Sequence, residues 1–207
     1  RLAPRDAAAG ATAPDVAVLE RIFDDHVAVA TWQRTPPRAL ETWLARSLPA
    51  REVLELVPST PTAPDLLPVL RMLPGAPERA LLGDLLAELL DLYAILAGAS
   101  RVGLRFCITA GQPCPRFHVD RVDLRLITTL RGPGTQWLEP ADVDRRLLGA
   151  RSDGVPDEAS GLLRAGATIR QLAAFDVGLF KGENWPGNAG RGAARCIARR
   201  RPTARID

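Results

Sequence analysis

The stretch from Cys114 to Leu138 constrains the fold more than any other, because metal-ligand chemistry and strand signals are concentrated in it. His118 and Asp120 stand two apart, so on an extended segment both side chains point to one face and can close on a single ion. Joined by a second imidazole from elsewhere, such a pair forms the three-ligand face of a mononuclear metal centre that keeps open positions. Residues 123–130 then alternate and are rich in β-branched and apolar side chains, as a strand leaving such a centre should be. Gly132-Pro133-Gly134 is a turn signal, after which residues 135–138 can begin a returning strand.

A chain of 207 residues, 46% hydrophobic, can bury a full core as one domain with a helical extension. The charged fraction of 25% and formal net charge of +3 are ordinary, and the basic excess lies between Arg191 and Arg205. Without that tail no nucleic-acid argument stands. Cys107, Cys114 and Cys196 do not make an even disulfide framework, and no charged-then-apolar leader is visible. The chain opens on Arg1 rather than Met, so the lack of a leader carries little weight. A cytoplasmic protein with reduced thiols is the expectation.

Four regions are expected. Residues 1–14, rich in Ala, Pro and Gly, cannot offset the entropy of ordering and read as a disordered lead-in. Residues 15–100 read as mainly helical. Here 16–22 is a short apolar segment and Val27, Val29 and Trp32 alternate as a strand, while His26, beside Asp24-Asp25, reads as a solvated or capping histidine. Pro36-Pro37 starts a helix carrying Leu40, Trp43, Leu44 and Leu48 on one face, and Pro49 ends it. Prolines 58, 61 and 64 make 57–64 a loop. The clearest helix runs over 77–98, with Leu82, Leu85, Leu86, Leu89, Leu92, Tyr93 and Leu96 on a broad face and Gly98 closing it. Asp84, Glu88 and Asp91 within it argue against a membrane span and for packing on the chain's own core.

Residues 101–192 read as the β core that carries the metal site. It comprises a strand at 102–108, the His-x-Asp segment, a short helix at 143–148, a polar loop at 151–161, and a strand on which Ala173, Phe175, Val177 and Leu179 alternate into Lys181-Gly182. Trp137 and Trp185 read as packing anchors, and Lys181 and Glu183 as solvated turn residues. Residues 193–207 read as a basic tail.

The phrases Cys114-Pro115-Arg116-Phe117-His118-Val119-Asp120, Arg131-Gly132-Pro133-Gly134-Thr135-Gln136-Trp137-Leu138 and Leu179-Phe180-Lys181-Gly182-Glu183-Asn184-Trp185-Pro186-Gly187 resemble a bacterial family, domain of unknown function 1826, from about Val18 onward. That resemblance brings no established activity. The order ligand pair, strand, Gly turn, strand resembles, more distantly, the opening of the double-stranded β-helix of Fe(II)/2-oxoglutarate oxygenases. The resemblances imply an α+β protein whose helical N-terminal region packs on a cupin-like jelly-roll. They further imply His118 and Asp120 as iron ligands, Arg125 or Arg131 paired with the 2-oxoglutarate carboxylate, and a small-molecule substrate whose identity stays open. Two other readings stand beside this one. Cys114 with His118 and Asp120, and Cys196 as a further soft ligand, would hold zinc without oxygenase chemistry. In the other, His118 and Asp120 simply hydrogen-bond each other in a metal-free binding domain. Neither nucleic acid nor membrane is an expected partner.

In the family, the Trp-Pro-Gly phrase is followed by Gly-Ala-Val-His-Arg-Ser-Pro and an apolar strand, and that histidine is the implied distal ligand. Here the text reads Gly192-Ala193-Ala194-Arg195-Cys196-Ile197-Ala198-Arg199-Arg200, without a histidine. Written as GCG GCG CGG TGC ATC GCG CGC CGC CGG, the codons for Ala193 to Arg201 shifted by two bases translate as Gly-Ala-Val-His-Arg-Ala-Pro-Pro. We therefore expect a frameshift from about Ala193 relative to the family. Sequencing the coding DNA beyond Trp185 checks this: the shifted frame should give histidine followed by an apolar strand, and stops or the lack of a histidine codon would refute it.

Overall fold

Strand pairing divides the chain into two units, one formed by residues 1–35 and 112–207, the other by 36–111. The structure, a computed structural model, describes residues 8–47, 53–59, 65–108, 116–149, 155–188 and 190–196. It is a mixed α+β protein, with its helices and sheets in both units. None of the described helices is long and apolar enough to cross a membrane.

The first unit is organised on β8 (Val177–Lys181), buried at all five positions. Antiparallel neighbours cover it on both sides: β2 (Val29–Trp32) and β5 (Leu124–Thr128). A strand enclosed in this way reads as a near-continuous apolar run rather than a strict alternation. The expected alternation from Ala173 begins too early, because Phe175 adopts a positive φ of 69° and the strand starts only after it. Beyond β2 lies β1 (Gly10–Ala13), parallel to it, so the first sheet has the order β1-β2-β8-β5.

Residues 1–7 of the expected disordered lead-in lie outside the described residues, and within the remainder the strand β1 corrects the expectation at Gly10–Ala13. Composition argued only that these residues bring little apolar bulk; pairing with β2 satisfies their backbone, and Ala9 O accepts the N–H groups of Ala28 and Val29 at 2.7 and 3.0 Å.

A second sheet in this unit has the order β7-β6-β9, from β7 (Ile169–Gln171), β6 (Gln136–Leu138) and β9 (Ala194–Cys196), all antiparallel. The Gly132-Pro133-Gly134 turn therefore does not return the chain alongside β5; it carries it into the other sheet. Of the basic tail expected over 193–207, residues 193–196 are instead buried and carry β9, while 197–207 lie outside the described residues. A single bridge pairs His118 with Arg195, placing the ligand segment on the far side of β9.

Alternation splits the second sheet's side chains between two cores. Leu138, Ala194 and Cys196 face one way, packed with Phe117, Val143 and Leu162. Trp137 faces the other way, into a cluster with Val29, Phe180, Leu172 and Ala193 that contains residues of both sheets. Register sets two rows on these facing surfaces. Val29, Phe180 and Arg125 are neighbours across the first sheet, and Arg170, Trp137, Arg195 and His118 across the second.

The second unit pairs β3 (Val53–Ser59) with β4 (Val102–Ile108) in an antiparallel ladder, with α1 (Arg38–Ser47), α2 (Leu67–Arg71) and α3 (Glu78–Ala97). The expected loop at 57–64 is corrected at its start, since β3 runs through Pro58 to Ser59. A two-stranded ladder consists of edges, where a residue without an N–H is tolerated. The sequence division at 100 falls inside this unit because β4 pairs with β3. In α3, Leu82, Leu85, Leu86, Leu89, Leu90 and Ala94 are buried, the i, i+3, i+4 spacing of a helix with one inward face. Gly98 ends it in the left-handed region at φ 59°, donating its N–H back to Ala94 O and Ile95 O.

Gly10 on β1 faces the tip of the Trp137 indole, and a Cβ there would lie 2.3 Å from Cη2. Gly10→Ala is expected to lower stability by about 1–3 kcal/mol through overpacking, read as a drop in urea midpoint at unchanged slope. An unchanged midpoint would show that the ring does not close on β1.

Candidate functional site

His118 owes its place to β9. Its N–H donates to Arg195 O and its carbonyl accepts from Arg195 N–H, both at 3.0 Å, the reciprocal exchange of a hydrogen-bonded antiparallel pair. The side chains of His118 and Arg195 consequently share one face. The ring places Nδ1 2.9 Å from Arg116 O, so that Nε2 faces Asp120 Oδ1 at 3.4 Å and is the nitrogen a metal would use.

Flanking residues hold the segment firmly. Phe117 N–H donates to Asp157 Oδ2 at 2.7 Å, and Gly149 N–H donates to Phe117 O at 2.8 Å. On the other side, Gly182, Glu183 and Asn184 donate backbone N–H groups to Asp123, Asp120 and Val122 carbonyls at 2.8, 2.8 and 3.2 Å. Gly182 approaches so closely that a Cβ would lie 1.9 Å from Val122 O, which is the physical reason for a glycine in that phrase.

Asp120 is the centre of the cluster. Its Oδ2 accepts from Arg195 Nε at 2.8 Å and from Arg195 Nη2, and Arg125 Nε on β5 forms an ion pair with the same oxygen at 2.8 Å. The side chains of Asp120 and Arg195 are only 12% and 9% exposed, so screening by water is weak. Burial works against the charged carboxylate. The His118 contact, the charge and hydrogen bonds of Arg195 and the charge of Arg125 outweigh it, holding the carboxyl well below the usual carboxylate range.

The structure thus brings together His118, Asp120 and Arg125 of the residues picked from sequence, and adds Arg195, which sequence reading assigned to the tail. Arg131, exposed in the turn after β5, makes none of these contacts. Cys114 lies outside the described residues. Cys196 is excluded as a ligand of this cluster, because strand alternation turns it to the opposite face, where Sγ approaches Gln136 Oε1 at 3.7 Å. Lys181 is also corrected: it is 4% exposed, not solvated, with Nζ donating to Asp24 O at 2.8 Å, and burial lowers its pKa.

Among the described residues no group of three or more His, Cys, Asp or Glu side chains could hold a metal ion. An imidazole and a carboxylate remain, and the carboxylate's outer oxygen is occupied by guanidinium groups. With Asp120 Oδ2 occupied by guanidinium groups, the described donors alone do not fit a resident metal. What the fold and site define is an α+β protein with a buried carboxylate enclosed by two arginines and a histidine. The chain belongs to the family described as protein of unknown function (DUF1826), whose model matches residues 13–199. No curated protein and no solved structure matches it.

Because the folded pKa of Asp120 lies below its unfolded value, the stabilisation is complete above the unfolded carboxylate range, near about 3.9, and is lost as pH falls through the folded value. Asp120→Asn is expected to cost about 3–5 kcal/mol at pH 7, as for removing one partner of a buried pair, and to flatten the acid limb of a stability-versus-pH curve. A variant with an unchanged acid limb would assign that limb to other carboxylates.

Proposed function

We propose that this chain is a metal-free, non-catalytic relative of proteins built on the plan of mononuclear Fe(II)/2-oxoglutarate oxygenases. The observation that carries the reading is the Arg195 guanidinium on Asp120, directly across the strand pair from His118. A third imidazole able to join His118 and Asp120 would have to come from the neighbouring strand on the same face, and position 195 meets that requirement.

A cupin-like jelly-roll is supported by two largely antiparallel sheets that share one core, with the ligand segment extending the second sheet beyond β9. Arg125 points from the first sheet into the same cluster, where a co-substrate carboxylate would be held in an active relative. In this chain it neutralises Asp120 instead. A divalent ion would first have to separate Arg195 from Asp120, a buried pair whose breaking costs about 3–5 kcal/mol, and would then find only two protein donors among the described residues. The same argument applies to zinc as to iron.

Titration of the purified chain with Fe(II) under anaerobic conditions, and separately with Zn(II), is expected to give no stoichiometric binding, and 2-oxoglutarate should not be decarboxylated. Arg195→His is expected to create a site that holds one divalent ion. Stoichiometric iron with 2-oxoglutarate turnover in the unsubstituted chain would overturn the reading.

A further inference from the structure

At the opposite edge of the same space between the sheets is a cleft of about 240 Å³, lined on one side by Gly10 and Thr31 and on the other by Trp137, Glu139 and Arg170, with Asp176 beside them. Arg170, Trp137 and Arg195 are successive cross-strand neighbours, so the cleft is separated from the Asp120 cluster by the Trp137 indole. By strand count, Arg170 and His118 are three spacings apart, about 14 Å. The two sites are distinct, and the cleft stands whether or not the reading above holds.

The charged groups that line the cleft are two carboxylates and one guanidinium, an excess of one negative charge. Both acids are buried, Glu139 at 8% and Asp176 at 7% exposure. Asp176 has each oxygen engaged by a backbone N–H, from Arg34 at 3.3 Å and Ala173 at 2.8 Å. Glu139 differs. Its Oε2 accepts the Ala9 N–H at 2.8 Å, but Oε1 is a buried oxygen without a hydrogen bond: Arg170 Nε stands 3.1 Å away in poor bonding geometry. Its charge is met by the Arg170 ion pair, and its capacity to accept a well-directed hydrogen bond is still unused. Arg170 itself is 46% exposed at its side chain and lies with its guanidinium 5.4 Å from the Trp137 ring centroid.

We infer that this cleft binds a small organic cation, a guanidinium or primary ammonium that donates to Glu139 Oε1 and rests against Trp137. The negative lining attracts a cation, the indole face favours one, and Glu139 Oε1, paired by charge with Arg170 but without a hydrogen bond, fixes its orientation. Arg170, tethered at the rim, covers the same two features from within the chain. It acts as an internal competitor that an incoming cation displaces outward.

Isothermal titration calorimetry at low ionic strength with agmatine tests this, with glutarate as the anionic counterpart. Agmatine is expected to bind at about 1 mM or tighter. Arg170→Ala should tighten it by about tenfold, and Glu139→Gln, which keeps an oxygen for the Ala9 N–H, should weaken it by about tenfold. Circular dichroism confirms that each variant is folded, and Arg170→Ala, at a half-exposed position, serves if Glu139→Gln is not. Glutarate binding in place of agmatine, weaker agmatine binding in Arg170→Ala, or no heat up to about 10 mM in either protein overturns the inference.

Discussion

A carboxylate taken out of water needs a cation beside it, and the first unit depends on how Asp120 meets that need. Arg125 reaches it from the first sheet and Arg195 from the second, so one buried charge joins the two layers at the edge where β5 and the His118 segment meet. Desolvating such a group costs several kcal/mol, which only close, well-directed partners offset. Here the chain supplies the compensating charge from its own sequence, and the backbone pair between His118 and Arg195 fixes where that charge is delivered.

The electrostatics of the two ends of the intersheet space are of opposite sign. Around Asp120 there are two guanidiniums for one carboxylate, whereas the far cleft has two carboxylates for one guanidinium. Trp137 lies between them in the same row, buried and apolar, and keeps the two charge groups from neutralising each other. Gly10 makes this possible, since any side chain at that position would push the indole away from β1.

Much of the local structure was legible because it depends on near neighbours. The spacing of leucines in α3, its Gly98 terminus and the Pro-led start of α1 each follow from residues within a few positions of one another. His118 and Asp120 on one face were legible for the same reason, as was the solvent-facing position of His26. Relations across the chain were not. Nothing near Arg195 marks it as a buried partner: three residues of β9 are too few for an alternation to stand out from the arginines around them. Lys181 deceived for a different reason, since a long stem lets the ammonium reach a backbone carbonyl while the rest of the residue is enclosed. Pro58 and the Ala-rich lead-in read as breakers by composition, and pairing partners far along the chain overrode that bias.

The order β7-β6-β9, with one bridge from β9 to His118, places β9 between β6 and the His118 segment. During synthesis β6 and β7 are made long before β9, so the His118 segment waits for residues more than seventy positions downstream before its backbone finds a partner. Until then the inner edge of β6 is open, an adhesive edge of the kind that invites pairing with another chain. Closure of such distant contacts is slow by topology alone. Solubility of the nascent protein therefore rests on a few residues, Ala194 to Cys196, filling the gap beside β6.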